Sequence, residues 1–149
     1  MTQRFLRDDG TFQPLASSGS SSAGPVTLLT KSTTADVALT TTGFFAGPAV
    51  SQGSSGTWLV IGSVSISNGT VGNCTCYGQL YDTTTTVDAG VVSMSPGFGA
   101  TMTLAGILAS PAGNLQIRVA SNVASASIVI NFNVTGFSKD STITAFRIG

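Results

Sequence analysis

The chain has no histidine and no glutamate. The first absence removes the commonest general base and metal ligand. The second, together with a lysine count of two, removes residues that normally build solvated helix faces. Charged side chains make up 8% of the 149 residues, against about a quarter in an ordinary globular domain. Six basic and six acidic groups cancel, so no positive field gathers phosphates or anionic lipid, and nucleic acid is not an expected partner. No apolar run approaches the roughly twenty residues that span a bilayer; Trp58 to Ile61 is among the longest. Membrane insertion is therefore not expected. The N-terminus carries charge where a secretory signal has its apolar core, which points to synthesis in a cytoplasm.

Chemistry is equally sparse. Cys74 and Cys76 are the only thiols. Two ligands one residue apart, with no histidine, do not make a structural zinc site, and a bridge between them would be strained. They are expected to be two small buried apolar side chains, with a disulfide between copies as the alternative. The six aspartates are scattered. Asp82 and Asp88, brought together across a hairpin, would be the one candidate for paired-carboxylate chemistry or calcium, but Asp82 also has the plainer role of starting a turn. Glycine follows neither the phosphate-loop nor the dinucleotide pattern. No catalytic residue, no metal ligand and no cofactor is expected, and the chain is read as a non-enzyme.

What is abundant is 20 Ser, 21 Thr and 18 Gly, and the mean hydropathy is positive, at +0.36. Threonine and valine suit a pleated, half-buried surface, so the fold class expected is all-β. So little charge leaves a lone soluble domain poorly dispersed, which implies that part of the surface is covered by other copies or by a larger assembly. A hydroxyl-rich surface solvated by serine and threonine is the alternative.

Three segments divide the chain. Residues 1–14 hold four of the twelve charged side chains, Arg4, Arg7, Asp8 and Asp9, interleaved with Phe5, Leu6 and Phe12. Residues 15–25 form a Ser/Gly-rich linker whose Ala16 to Pro25 stretch, ASSGSSSAGP, would span about 16 to 19 Å as a coil. Residues 26–149 alternate short strands with turns, the spacing of a sandwich or barrel.

Within that body, Val26 to Thr30 and Val37 to Thr41 are short first strands. The Gly47-Pro48 pair prevents Phe44 to Val50 from being a central strand. Thr57 to Ser67 is the strongest strand, with Trp58, Val60, Val64 and Ile66 on one face. Leu59 and Ile61 on the other predict partial cover on both sides. Cys74 to Asp82 and Val87 to Met94 form a hairpin joined by Thr83 to Thr86. Thr101 to Leu108, Leu115 to Val119, Ser125 to Thr135 and Thr142 to Ile148 complete eight or nine strands. That number of antiparallel hairpins predicts a two-sheet, jelly-roll-like β-sandwich with an extended N-terminal arm. An immunoglobulin-like sandwich lacks its Cys, Trp, Cys spacing here. Trp58 is assigned to the core, while Tyr77 and Tyr81, on the more polar face of their strand, are the candidates for a surface or ligand contact, including stacking on a sugar.

The stretch RFLRDDGTF at Arg4 to Phe12 resembles the FLRGDGTW-like segment that precedes the terminal domains of bacteriophage tail fibres, with Asp8 in place of the glycine and Phe12 at the aromatic position. GTWLVIGSVSI at Gly56 to Ile66, GQLYDTTTTV at Gly78 to Val87 and SKDSTITAFRI at Ser138 to Ile148 are similar to the β-rich heads that follow such segments. The resemblance implies a trimeric jelly roll displayed on a virion as a fibre tip, spike or capsid decoration. Arg4, Phe5, Leu6, Arg7, Asp8, Asp9 and Phe12 would then dock on other virion proteins of the capsid, neck or tail, and host surface glycan would be a further partner. The motif lies at the start of this sequence without a long shaft before it, which leads to the expectation of a small accessory protein docked directly on the particle.

Overall fold

The computed structural model describes residues 4–6, 12–14, 27–133 and 140–149, the first two stretches through their backbone pairing only. All regular structure among these residues is β. β1 (Arg4–Leu6) and β2 (Phe12–Pro14) pair antiparallel, with Leu6 opposite Phe12. The linker at 15–25, the side chains proposed for docking, and residues Arg7, Asp8 and Asp9 lie outside what is described.

The described residues of the body form ten strands, one or two more than the turn spacing predicts. They are β3 (Leu28–Ser32), β4 (Val37–Leu39), β5 (Phe45–Val50), β6 (Thr57–Asn68), β7 (Cys74–Tyr81), β8 (Thr86–Met94), β9 (Phe98–Ala109), β10 (Leu115–Ser121), β11 (Ser125–Ile130) and β12 (Thr142–Arg147). The smaller sheet runs β5-β10-β7-β8, and the larger β3-β12-β6-β11-β4, with β9 on the other side of β6. Every pairing is antiparallel. The result is an antiparallel two-sheet sandwich of jelly-roll type.

β6 organises the larger sheet because it is long enough to pair three times. All twelve of its residues pair with β9. On its other side Trp58 to Ser63 pair with β12 and Ile66 to Asn68 with β11. This pairing extends β9 three residues before the expected Thr101, back to the turn at Gly97, whose φ of 78° suits glycine. β5 keeps Gly47 and Pro48 inside a strand because it lies at a sheet edge, where a missing N–H costs no ladder bond.

Period-two alternation places the core as the sequence pattern requires. Trp58, Val60, Val64 and Ile66 from β6 meet Cys74, Cys76 and Leu80 from β7, Met102 and Leu104 from β9, and Leu115, Ile117 and Val119 from β10, all buried. Trp58 also satisfies its indole by donating to the Ser55 carbonyl at 3.0 Å. The two sheets approach closely at Gly62. A Cβ built there would lie 2.3 Å from Cδ1 of Ile117, itself fully buried, so glycine is what admits that side chain.

One alternation changes mid-strand. The β7–β8 register shifts between Leu80 and Tyr81, which pair with Asp88 and Thr86, so Val87 is the extra residue of a bulge. Val87 packs against the core, whereas Ala89 and Val91 turn outward, Val91 to 61% exposure. Ser125 to Thr135 is also shorter than expected. β11 ends at Ile130, its pairing with β4 is irregular between Ser125 and Val129, and Val134 and Thr135 fall outside the described residues.

Candidate functional site

Two outward sheet faces carry the features that distinguish this molecule. On the larger sheet, the outward positions of the strands around β6 are Leu28 and Thr30 in β3, Thr144 and Phe146 in β12, Leu59, Ile61, Ser63 and Ser65 in β6, and Thr101, Thr103, Ala105 and Ile107 in β9. None is ionisable. The register aligns Leu28, Phe146, Leu59 and Ile107 as direct neighbours across four strands. Ile61 and Ile148 flank this row. Leu28 is 56% exposed, Ile61 43%, Ile107 62% and Ile148 55%. Of the partial cover expected for Leu59 and Ile61, Leu59 is half-buried and Ile61 is left exposed among the described residues of a single chain.

The other half of this face is polar and closed by the chain itself. Ser67 donates to Oδ1 of Asn131 at 2.9 Å, and the Ser65 amide donates to Oγ of the buried Ser141 at 3.1 Å. Beside them lies a shallow cleft of about 400 Å³ lined by Ser65, Ser67, Asn68, Asn131 and Asp140, with Gly97 to Gly99 at its rim. Serine therefore marks where the chain covers itself, and the aliphatic residues mark where it does not.

The outer face of the smaller sheet carries the two candidate tyrosines, and it separates them. Tyr77 is 45% exposed, opposite the outward Val91. Tyr81 is engaged: its hydroxyl donates to the Thr83 carbonyl at 2.5 Å, and Arg118 lies over its ring with the guanidinium carbon 3.5 Å from the centroid. The other side of the stack is Phe44, whose ring centroid is 4.6 Å from the same carbon. Nε of Arg118 donates to Oε1 of Gln79 at 2.9 Å. β10 sets Arg118 directly opposite Gln79, and β5 brings Phe44 alongside, one residue before its first paired position. The sequence reading did not single out Arg118 or Phe44. Their joint position depends on two strand pairings, although a lone arginine in a nearly uncharged strand is a signal visible in the sequence.

The carboxylates considered for chemistry are bound to backbone. In the β7–β8 turn, Oδ1 of buried Asp82 accepts from the amides of Thr84 at 3.0 Å and Thr85 at 2.5 Å, and Oδ2 accepts from Ala112 at 3.1 Å. Burial alone would raise its pKa, but these amides together hold it below the ordinary aspartate value. Asp88 accepts from the Ala89 and Ala105 amides at 2.8 and 2.9 Å, tying β8 to β9. Both carboxylates thus have structural work in the fold. Cys74 and Cys76 are buried and unbridged, and desolvation pushes the Cys76 thiol up to about 11. No cluster of three or more metal-ligating side chains occurs among the described residues. None of the described elements is a helix long and apolar enough to cross a membrane.

No protein-family model and no curated protein sequence matches this chain. Solved structures do. The TNF protein Eiger of S. frugiperda superposes over 84% of this chain and 94% of its own, at a TM-score of 0.51 and 11% identity. The VP2 protein of infectious bursal disease virus, as a D431N mutant in T=1 particles, aligns with 99% of this chain at a TM-score of 0.44 and 11% identity. In the T=13 particle of the same virus the alignment covers 96% of this chain, at 0.46 and 10%. This chain spans 41% and 39% of those two virus chains. At such identities the likeness to Eiger is one of fold, and the fold is the jelly-roll-like β-sandwich built up above.

Proposed function

We propose that this chain is a non-enzymatic structural protein of a phage virion: a small accessory protein that docks through residues 1–14 and displays its β-domain at the particle surface as a homotrimer. The observation that carries the reading is the uncharged half of the larger sheet's outer face, around Thr57 to Ser63 of β6, with its four-strand aliphatic row. Seven residues of β6, Thr57 to Ser63, across four strands give a patch of roughly 400 Å² at ordinary strand spacings. Exposed patches of that size on a monomer are commonly interaction sites. A second copy is the fitting occupant, because symmetry brings like residues near one another at a shared axis, and only a surface without charge avoids apposing like charges there. Such a patch supplies about half of the roughly 800 Å² that each partner gives to a standard interface; the adjoining β3 edge offers further surface. The threefold number comes from the resemblance of Arg4 to Phe12 to fibre segments.

Docking divides in the usual way between apolar anchors, Phe5, Leu6 and Phe12, and charged residues that set register, Arg4, Arg7, Asp8 and Asp9. The partners are capsid, neck or tail proteins. A second reading, a receptor- or carbohydrate-binding module, is favoured by exposed Tyr77 beside a fixed Arg118. The test is to add purified protein, whole and lacking residues 1–14, to particles devoid of it. The whole chain should bind as trimers, and the truncated chain should remain a folded trimer in solution but leave the particle bare. Equal occupancy by the truncated form would sink the docking role, and a monomeric whole chain would sink the assembly.

A further inference from the structure

We propose that the outer face of the smaller sheet binds an acidic oligosaccharide, with one sugar's carboxylate on the Nη edge of Arg118 and a neighbouring sugar ring on Tyr77. The inference rests on the second reading above, of the displayed β-domain as a receptor- or carbohydrate-binding module, and names its ligand class. Arg118 is held on three sides, by the Tyr81 ring, the Phe44 ring and the Gln79 amide oxygen. An arginine free in solution loses side-chain entropy when it grips a ligand, whereas one stacked in place has already lost it.

The direction in which it can bind follows from what is occupied. Nε is taken by Gln79, and among the described residues none accepts from Nη1 or Nη2. The edge left open presents two parallel N–H groups, the fork that matches both oxygens of a carboxylate. Among the described residues no carboxylate supplies them: the outward residues around it are Thr75, Tyr77, Gln79, Gln116, Ala89 and Val91. Among the described residues the cation is thus uncompensated on an otherwise neutral face.

The sugar follows from the neighbours. Tyr77 lies opposite Ala120, two residues along β10 from Arg118, while the Arg118 guanidinium leans the other way onto Tyr81, four residues and about 13 Å along β7 from Tyr77. Its 45% exposed ring is free of the stacking that covers Tyr81. The Tyr77 ring at one end of this face and the Arg118 fork at the other, with the Gln79 and Gln116 amides between and beside them, offer an oligosaccharide a C–H platform, an anion site and hydroxyl partners together. A bare phosphate or an acidic peptide would use the fork and leave the platform idle.

The test is calorimetric titration of the full-length protein with sialyllactose, a glucuronate-terminated disaccharide, lactose, inorganic phosphate and a poly-aspartate peptide, with the assembly mass measured on the same samples. The acidic sugars should bind at least about tenfold more tightly than lactose, the scale of a hydrogen-bonded charge. Arg118→Lys keeps the charge without the fork and should lose about tenfold or more in affinity for the acidic sugars, and Tyr77→Ala should weaken them too, with circular dichroism and mass unchanged. Failure of every sugar to bind, equal binding of lactose, full affinity in Arg118→Lys, or binding of phosphate or peptide alone would overturn the proposal. Because mass is read in parallel, a monomeric protein would count against the assembly reading and not against this site.

Discussion

At the residue scale the two cysteines illustrate how burial decides chemistry. Cys74 and Cys76 point to the same face of β7 and are sealed in the core, as the alternation of that strand predicts. Desolvation disfavours the Cys76 thiolate, the neighbouring Cys74 adds to the effect and the hydrogen bond with Ser121 opposes it, leaving the thiol at about 11 against an ordinary 9.0. A thiol reacts as its thiolate. Cys76 should therefore resist alkylation by iodoacetamide at pH 8 in the folded protein and react fully in guanidinium, a contrast that mass spectrometry of the trypsin-released peptide reads directly. Rapid labelling of Cys76 in the native state would show that this packing is wrong. The stability consequence has a definite sign. The folded pKa is raised, so the contribution is complete below pH 9 and is lost as pH rises from about 9 through 11.

At the scale of elements the turn between β7 and β8 shows a carboxylate used as a fastener. Thr83 has a φ of 78°, a costly conformation for a β-branched residue. Asp82 offsets that strain by gathering the Thr84 and Thr85 amides on one oxygen and reaching across to the Ala112 amide with the other, which joins this turn to the β9–β10 connection. Gln52 secures the same end of the sandwich, donating to the Gly113 carbonyl at 2.6 Å and accepting from the Leu115 amide at 3.0 Å. Asp82→Ala leaves three amides without their acceptor and should cost about 2–4 kcal/mol, at the upper range for loss of a buried charged partner. Urea denaturation would measure it, and a change within 0.5 kcal/mol would contradict the role. Since the folded pKa of Asp82 is lowered, its contribution is present above the ordinary aspartate pKa and is lost as pH falls through the lower folded value, so the wild-type advantage over Asp82→Ala should shrink in acid.

Elements also mark how far the sequence could be read. Alternation in Thr57 to Ser67, Cys74 to Asp82 and Leu115 to Val119 places every buried side chain correctly, because a one-residue error would turn each apolar set to solvent. It did not locate the bulge at Val87, since Val87, Ala89 and Val91 are spaced like an uninterrupted strand. Tyr77 and Tyr81 are equivalent in sequence and unlike in space, because only the pairing of β10 sets Arg118 against one ring. The aliphatic row was legible only in part. Leu59 and Ile61 stand out within their own strand, but Leu28, Phe146 and Ile107 join them through three registers that no local pattern encodes.

At the scale of the whole molecule the composition and the surface become one argument. A chain with 8% charged residues folds so that the Leu28, Phe146, Leu59 and Ile107 row on the outer face of its larger sheet has no ionisable side chain among its outward neighbours, and the serines farther along that face are tied down by Asn131 and Ser141 while Leu28, Ile61 and Ile107 remain open. If copies meet there, a charge placed in the row must be desolvated against a like charge from each neighbour, a penalty of several kcal/mol per contact, whereas in a monomer it would sit in water at little cost. Ile107 is the position that separates the two cases, being 62% exposed and on the side of β6 away from β12. Ile107→Asp should leave the circular dichroism spectrum and the midpoint of monomer unfolding nearly unchanged. It should also convert the assembly to monomers in sedimentation velocity at micromolar concentration. Ile107→Val, which keeps the face apolar, should sediment as the wild type does. An Ile107→Asp protein that still sediments as a trimer would move the interface elsewhere on the sandwich and leave the aliphatic row needing another occupant.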